Sequence, residues 1–77
     1  MIIIAQDKSL INMDKISYIY VSNNGSEFEE ATTYTVMAED NDTYYNVGIY
    51  YTNKEAQKQV DRIRQSIEEG WKTCEVS

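Results

Sequence analysis

The chain contains no histidine, no proline and a single cysteine, Cys74. One cysteine cannot form a disulfide within the chain, and without histidine the usual Cys/His zinc sites cannot be built. Histidine is also the most common general base near neutral pH, so its absence argues against acid–base catalysis. Cys74 has no basic partner close to it in the sequence, and we interpret it as a buried or tolerated thiol rather than a nucleophile.

Sequence patterns that bind cofactors and metal ions are also absent. The three glycines are far apart, so the chain has no phosphate-binding loop. Asp40, Asn41 and Asp42 offer oxygen ligands, but a calcium loop starting at Asp40 needs glycine and glutamate where Tyr45 and Tyr51 stand. We therefore expect a protein that is not an enzyme, with no cofactor and no bound metal ion.

Long apolar runs are missing as well. No segment approaches the roughly 20 apolar residues that a membrane-spanning helix requires, and residues 1–7 lack the basic start of a secretory signal. A lone cysteine is typical of a reducing compartment. From the sequence we expect a cytoplasmic protein that does not contact a membrane.

The negative charge is distributed unevenly along the chain. The net charge is −6 at pH 7; residues 1–53 hold eight acids and two lysines, whereas residues 54–77 hold five acids and five bases. All seven tyrosines also lie in the acidic part. Nucleic acids bind through Lys and Arg side chains that neutralise phosphates. The charge therefore disfavours direct nucleic-acid binding and favours a protein partner with a basic surface.

Short β-forming segments occupy the first two thirds of the sequence. They are rich in Tyr, Thr, Val and Ile, as strands prefer, and residues 23–26 and 39–42 give the strongest turn signals. The segments on either side of residues 40–42 predict an antiparallel hairpin.

The second strand of this hairpin alternates between two faces, as strands do. We expect the core-facing set to be Tyr45, Val47, Ile49 and Tyr51, and the outward set to be Tyr44, Asn46, Gly48 and Tyr50. Tyr18 and Tyr20 share one face of their own strand, so an outer sheet face with four tyrosines is expected. Exposed tyrosine is typical of interfaces, but tyrosine is also an ordinary strand residue that forms cross-strand pairs, and both interpretations stay open.

One helix is predicted for residues 53–69. Thr52 and Glu55 form a capping box at its start, and Gly70 stands where a helix is expected to end. The apolar stripe expected to pack on the sheet consists of Ala56, Val60, Ile63 and Ile67. The predicted fold is a single α+β domain over residues 1–77. It has an antiparallel sheet of four or five strands within residues 1–51, this C-terminal helix on one face and a short tail over residues 71–77. The last six residues either add a short edge strand or fray.

Two acidic segments carry most of the candidate contact residues. One interpretation is that their carboxylates keep the protein soluble and block pairing at the ends of the sheet. The other is a contact surface for a basic groove, with carboxylates imitating the charge of nucleic acid and Phe28 acting as an aromatic anchor. The predicted partner-binding residues are Glu27, Phe28, Glu29, Glu30, Glu39, Asp40, Asp42, Tyr44 and Tyr50.

Three stretches resemble a group of small, mostly uncharacterised proteins from bacteriophages, prophages and other mobile elements of low-GC Gram-positive bacteria. The stretches are Met1-Ile2-Ile3-Ile4-Ala5-Gln6-Asp7, Leu10-Ile11-Asn12-Met13-Asp14-Lys15-Ile16, and Val47-Gly48-Ile49-Tyr50-Tyr51-Thr52 running into Glu55-Ala56. The group supplies no catalytic residues for this chain. The resemblance implies a setting: small acidic proteins of mobile elements often inhibit host defence, anti-CRISPR proteins among them, and several of those imitate nucleic acid with carboxylates.

Two functions remain as expectations from the sequence. The first is a non-enzymatic inhibitor of a host defence nuclease, such as a CRISPR effector, that blocks a basic nucleic-acid-binding surface with its acidic loops and tyrosines. The alternative is a homo-oligomeric structural or regulatory domain, for instance a dimer, with the tyrosine face as its self-contact. Salt distinguishes them, because charge-driven binding weakens as salt rises.

Overall fold

The computed structural model describes residues 1–23 and 33–77, and its architecture is α+β. These residues form six strands, one α-helix and a 3₁₀-helix over Met13–Lys15. The strands are β1 (Ile2–Ile4), β2 (Leu10–Asn12), β3 (Tyr18–Asn23), β4 (Tyr34–Glu39), β5 (Tyr44–Tyr50) and β6 (Thr73–Glu75), and the helix is α1 (Asn53–Glu69).

The strands form two three-stranded sheets. The predicted α+β class is confirmed, but the predicted single antiparallel sheet of four or five strands is wrong. In the first sheet, β1 lies between β2, which is antiparallel to it, and β6, which is parallel. In the second sheet, β4 lies between β3 and β5 and is antiparallel to both. Of the two alternatives for the end of the tail, an edge strand or a frayed end, the structure has the edge strand, β6.

The hydrophobic core lies where the two sheets and the helix meet. In the three-residue strands β2 and β6, only the middle residue is buried, and β1 buries its middle residue most completely. Core side chains come from the first sheet (Ile3, Ile11, Cys74), the second sheet (Val36, Ala38, Val47, Tyr50) and the helix (Ala56, Ile63). The thiol of Cys74 is thus a core group, as expected.

Helix α1 begins and ends at the positions that the capping residues predict. The Oγ1 atom of Thr52 accepts the Glu55 N–H at 3.1 Å. Gly70 has the left-handed conformation, with φ of 70°, and its N–H donates to the Ile67 carbonyl. Across residues 1–23 and 33–77, no helix is long and apolar enough to cross a membrane.

The buried stripe of α1 is rotated relative to the predicted one. Gln59 is buried where the sequence predicts Val60, and Val60 is only partly buried. Ala56 and Ile63 are buried as expected, but Ser66 is fully buried and Ile67 is 56% exposed. The reason is the packing around the end of the helix. The hydroxyl of Ser66 lies 3.1 Å from the sulfur of Met1, and its carbonyl accepts the N–H of Trp71 at 2.9 Å. The first sheet and Trp71 therefore approach α1 on the side of Ser66.

A bulge at Val47 changes which side chains of β5 face the core. Val36 of β4 pairs with Gly48, whereas the next residue along β4 pairs with Asn46, so Val47 is an extra residue. Val47 is buried as predicted, whereas Tyr45, which is also expected to face the core, is 39% exposed. Beyond Val47 the alternation reverses. Gly48 and Tyr50 are buried, whereas Ile49 and Tyr51 are 46% and 82% exposed. The predicted faces of these four residues are wrong.

Gln6 connects the end of β1 to the bulged strand of the other sheet. Its backbone N–H donates to the carbonyl of Val47 at 2.8 Å, and its side-chain oxygen accepts the N–H of Ile49 at 2.8 Å. Its side-chain amide also donates to the main-chain oxygen of Ser77. One glutamine therefore satisfies backbone groups around the bulge and joins both sheets.

Candidate partner-binding surface

The outer face of the second sheet, opposite the face that packs on α1, carries a cross-strand row of three residues. Tyr18 of β3 pairs with Glu39 of β4, and Glu39 pairs with Tyr44 of β5. Side chains paired in this way lie on the same face of a sheet. Tyr18 and Tyr44 are 58% and 66% exposed, and Glu39 between them is partly buried. We call these three residues the Tyr–Glu–Tyr row.

Tyr20 extends this row along β3. Its ring centroid lies 5.4 Å from that of Tyr18, and the two ring planes are tilted by 32°. A hydrogen bond to the Glu39 carboxylate, together with its charge, raises the pKa of the Tyr18 hydroxyl. Desolvation, followed by the charge of Glu39, raises the pKa of the Tyr20 hydroxyl. Both phenols therefore stay neutral at physiological pH, and Glu39 is the acidic residue of the Tyr–Glu–Tyr row.

The turn between β4 and β5 adds two further acids next to the row. Asp40 Oδ1 accepts the N–H groups of Asp42 and Thr43, both at 2.8 Å, and Oδ2 accepts the Tyr45 hydroxyl at 3.2 Å. The hydrogen bonds from these two amides are the main cause that lowers the pKa of Asp40. Asp40 therefore shapes the turn, while Asp42 is an exposed acid at its tip.

One base moderates the charge at this end of the sheet. Lys15 lies close enough to Asp40 for its positive charge to contribute to the lowered pKa of that carboxyl. Residues 14–17 and 40–42 border a shared depression of about 450 Å³. In the part of the chain that the structure describes, no cluster of three or more carboxylate or thiol groups could hold a metal ion. The region therefore offers negative charge for contact.

The structure brings together part of the predicted site. Glu39, Asp40, Asp42 and Tyr44 lie at the same end of the second sheet. The prediction that Tyr50 faces outward is wrong, because the bulge at Val47 turns it into the core, where it is 6% exposed and its hydroxyl donates to the Ser77 main-chain oxygen at 2.9 Å. The remaining predicted residues, Glu27, Phe28, Glu29 and Glu30, lie outside the described residues.

The list of contact residues predicted from the sequence omits Tyr18 and Tyr20, which belong to this face. Their i, i+2 spacing is the signal that puts them on one side of a strand. The position of Glu39 between two exposed tyrosines depends on the register of three strands, which no single strand's pattern encodes. We use the name acid–tyrosine surface for the row together with Tyr20, Asp40 and Asp42.

A second feature is an apolar groove between α1 and the segment that leads into β3. Its volume is about 480 Å³. The apolar side chains lining it include Met13, Ile16, Ile19, Val60, Ile63 and Ile67, and the charged ones are Arg64 and Glu68. Tyr18 also lines the groove, so the groove adjoins the acid–tyrosine surface.

Comparison of the chain with family models, with curated proteins and with solved structures finds no match. Any functional proposal therefore depends on the residues and their geometry.

Proposed function

We propose that this chain is a non-enzymatic protein-binding module that contacts a basic surface of a protein partner through its acid–tyrosine surface. The observation that carries the proposal is the Tyr–Glu–Tyr row, in which a carboxylate lies between two tyrosines that are more than half exposed. Exposed aromatic area beside charge is typical of recognition surfaces. Tyrosine supplies contact area at low conformational cost, and carboxylates form charge-assisted hydrogen bonds with Lys and Arg.

The concrete form of the proposal is an inhibitor of a host defence nuclease. A groove that binds nucleic acid must present many Lys and Arg side chains to phosphates, and such a groove is complementary to a surface that carries Glu39, Asp40 and Asp42. An inhibitor of the anti-CRISPR type, carried by a phage or mobile element, would occupy this groove and exclude the nucleic acid.

The test measures binding and inhibition with defined nucleases. A panel of guide-loaded CRISPR effectors and other nucleases with basic grooves is titrated with the protein, and cleavage of a target duplex is followed. We expect at least one nuclease to be inhibited, with binding that weakens as salt rises and that competes with the target duplex. If no nuclease of the panel is inhibited, the proposal that the protein inhibits a nuclease is contradicted. Binding that is insensitive to salt contradicts a charge-driven contact.

A matched pair of variants locates the contact. Glu39→Lys combined with Asp42→Lys reverses two charges on the acid–tyrosine surface, and we expect it to abolish binding. Glu68→Lys combined with Glu69→Lys makes the same change in net charge on exposed positions of α1, and we expect it to preserve binding. If both variants lose binding equally, net charge rather than the acid–tyrosine surface governs the interaction.

A second candidate function, a homo-oligomeric domain, is supported by the apolar groove. Ile67 in this groove is 56% exposed, and residues 54–77 have no net charge, so two helices can approach without electrostatic repulsion. A self-contact through the tyrosine face would instead bring Glu39 and Asp42 of two copies together. Sedimentation distinguishes the candidates: a dimer that persists at high salt and dissociates in Ile67→Glu favours self-association through the groove.

A further inference from the structure

We propose that the Tyr–Glu–Tyr row is a binding site for one arginine side chain of the partner. This inference rests on the proposed protein-binding function and specifies the chemical group that the surface recognises. It concerns Tyr18, Glu39 and Tyr44 only, and it leaves the identity of the rest of the partner open.

The arrangement of the row suits a guanidinium group. Neighbouring strands lie about 4.7–4.9 Å apart, so the Cα atoms of Tyr18 and Tyr44 are separated by roughly 10 Å with Glu39 midway between them. A guanidinium that forks onto the Glu39 carboxylate presents its flat faces to the sides. The register places Tyr18 and Tyr44 on either side of Glu39, so their rings can reach this guanidinium and make cation–π contacts with it.

Glu39 retains the capacity to accept such a ligand. Among residues 1–23 and 33–77, none of the Lys and Arg side chains forms an ion pair with Glu39. Its carboxylate accepts hydrogen bonds from the Tyr18 and Tyr20 hydroxyls, which use two of about four lone-pair positions. The remaining positions are sufficient for the two parallel N–H donors of an arginine.

Arginine suits this row better than lysine does. The ammonium group of lysine is a strongly hydrated point charge, whereas a guanidinium is weakly hydrated, planar and able to stack on aromatic rings while it hydrogen-bonds a carboxylate. Because the two tyrosines are exposed, an ammonium ion would keep most of its water and gain little from them. We therefore expect the row to prefer arginine to lysine.

The experiment titrates the full chain with three short peptides and follows its NMR spectrum. The peptides are acetyl-Gly-Gly-Arg-Gly-Gly-amide, the same peptide with citrulline, which has nearly the same shape without charge, and the same peptide with lysine. Ring signals of Tyr18 and Tyr44 and the side-chain signals of Glu39 report on binding. We expect the arginine peptide to bind at least about fivefold more tightly than the citrulline peptide, with the lysine peptide between them.

Matched variants test which groups provide this preference. Glu39→Gln should remove the preference for arginine over citrulline, whereas Glu69→Gln removes the same charge from an exposed position at the end of α1 and should keep it. Tyr44→Leu should weaken arginine binding about threefold, while Tyr44→Phe keeps the ring and should retain it. If Glu39→Gln fails to fold, the comparison of Tyr44→Leu with Tyr44→Phe still tests whether the aromatic ring contributes to arginine binding. Equal binding of arginine and citrulline, or equal losses in Glu39→Gln and Glu69→Gln, overturns the inference.

These results are separable from the test of the proposed function. Nuclease binding that survives Glu39→Gln would overturn the arginine site and leave the protein-binding module intact. Arginine-peptide binding without binding of any nuclease would support the site and contradict the nuclease form of the function.

Discussion

At the scale of single residues, Gly48 and Tyr50 show how a small residue permits a large one to enter the core. The side chain of Tyr50 folds over Gly48, and a Cβ atom added to Gly48 would lie 2.5 Å from the Tyr50 hydroxyl oxygen and 2.9 Å from two of its ring carbons. The ring has little room to move, because Tyr50 is buried and its hydroxyl donates to the Ser77 main-chain oxygen. Glycine at position 48 is therefore a packing requirement.

We predict that Gly48→Ala lowers the free energy of unfolding by about 1–3 kcal/mol, the usual cost of forcing extra volume into a packed core. Denaturant unfolding measures the change. In a Tyr50→Leu background the same substitution should cost much less, because the smaller side chain leaves room for the new methyl group. A cost that is equal in the two backgrounds would contradict the steric explanation.

Gly70 provides a contrast at the same scale. A Cβ atom there would meet nothing within 4 Å, but the backbone has a φ of 70°. Gly70→Ala should therefore cost about 1 kcal/mol through backbone strain alone, and this cost should be the same whether residue 50 is tyrosine or leucine. The two glycines separate a steric requirement from a conformational one.

At the scale of elements, local signals predict the helix well and the strands only in part. The ends of α1 depend on Thr52, Glu55 and Gly70, which are all close in sequence, so capping rules locate them. Which side chains of β5 face the core depends on the bulge at Val47. The carbonyl of Val47 accepts a hydrogen bond from the backbone N–H of Gln6, which is distant in the sequence. A pattern of alternating residues contains no information about such a partner. For this reason the alternation of β5 predicts the wrong face for Tyr50.

The same limit applies to the number of sheets. Strand β6 pairs with β1 from the other end of the chain, and three-residue strands carry too little alternation to reveal pairing. The Tyr–Glu–Tyr row is also a product of register, since it combines one residue from each of β3, β4 and β5. The hairpin of β4 and β5 was predictable because its turn residues are contiguous.

The buried stripe of α1 in the structure and the apolar stripe predicted from the sequence lead to different expectations for Ile67. Ile63 is 2% exposed and Ile67 is 56% exposed. Ile63→Ala should lower the free energy of unfolding by about 2–4 kcal/mol, whereas Ile67→Ala should change it by no more than about 0.5 kcal/mol. Thermal or denaturant unfolding of the two variants measures the difference, and similar losses for both would contradict the rotated stripe.

At the scale of the whole molecule, the two sheets depend on each other for stability. Each strand of the first sheet has only three residues, and a sheet of this size is not stable without packing partners. Its buried residues belong to the same core as those of the second sheet and α1, and Gln6 hydrogen-bonds across the junction. We therefore expect the chain to unfold as one cooperative unit.

The distribution of aromatic residues allows this expectation to be tested without labels. Trp71 lies between α1 and β6, with the guanidinium of Arg62 5.5 Å from its ring centre. The tyrosines all lie between residues 18 and 51, in or next to the second sheet. Trp71 fluorescence thus reports on the first sheet and the end of the helix, while the near-ultraviolet circular dichroism of the tyrosines reports on the second sheet.

We predict that the two signals give the same unfolding midpoint in denaturant, because a shared core makes separate unfolding of either sheet unfavourable. Gln6→Ala removes the acceptor of the Ile49 N–H and should lower the free energy of unfolding by about 1 kcal/mol. Both midpoints should shift together in this variant, since the lost hydrogen bond belongs to the junction and not to one sheet. Loss of the tyrosine signal at a lower denaturant concentration than the Trp71 signal would mean that the sheets are separate folding units. The acid–tyrosine surface would then lie on a part of the molecule that can open by itself.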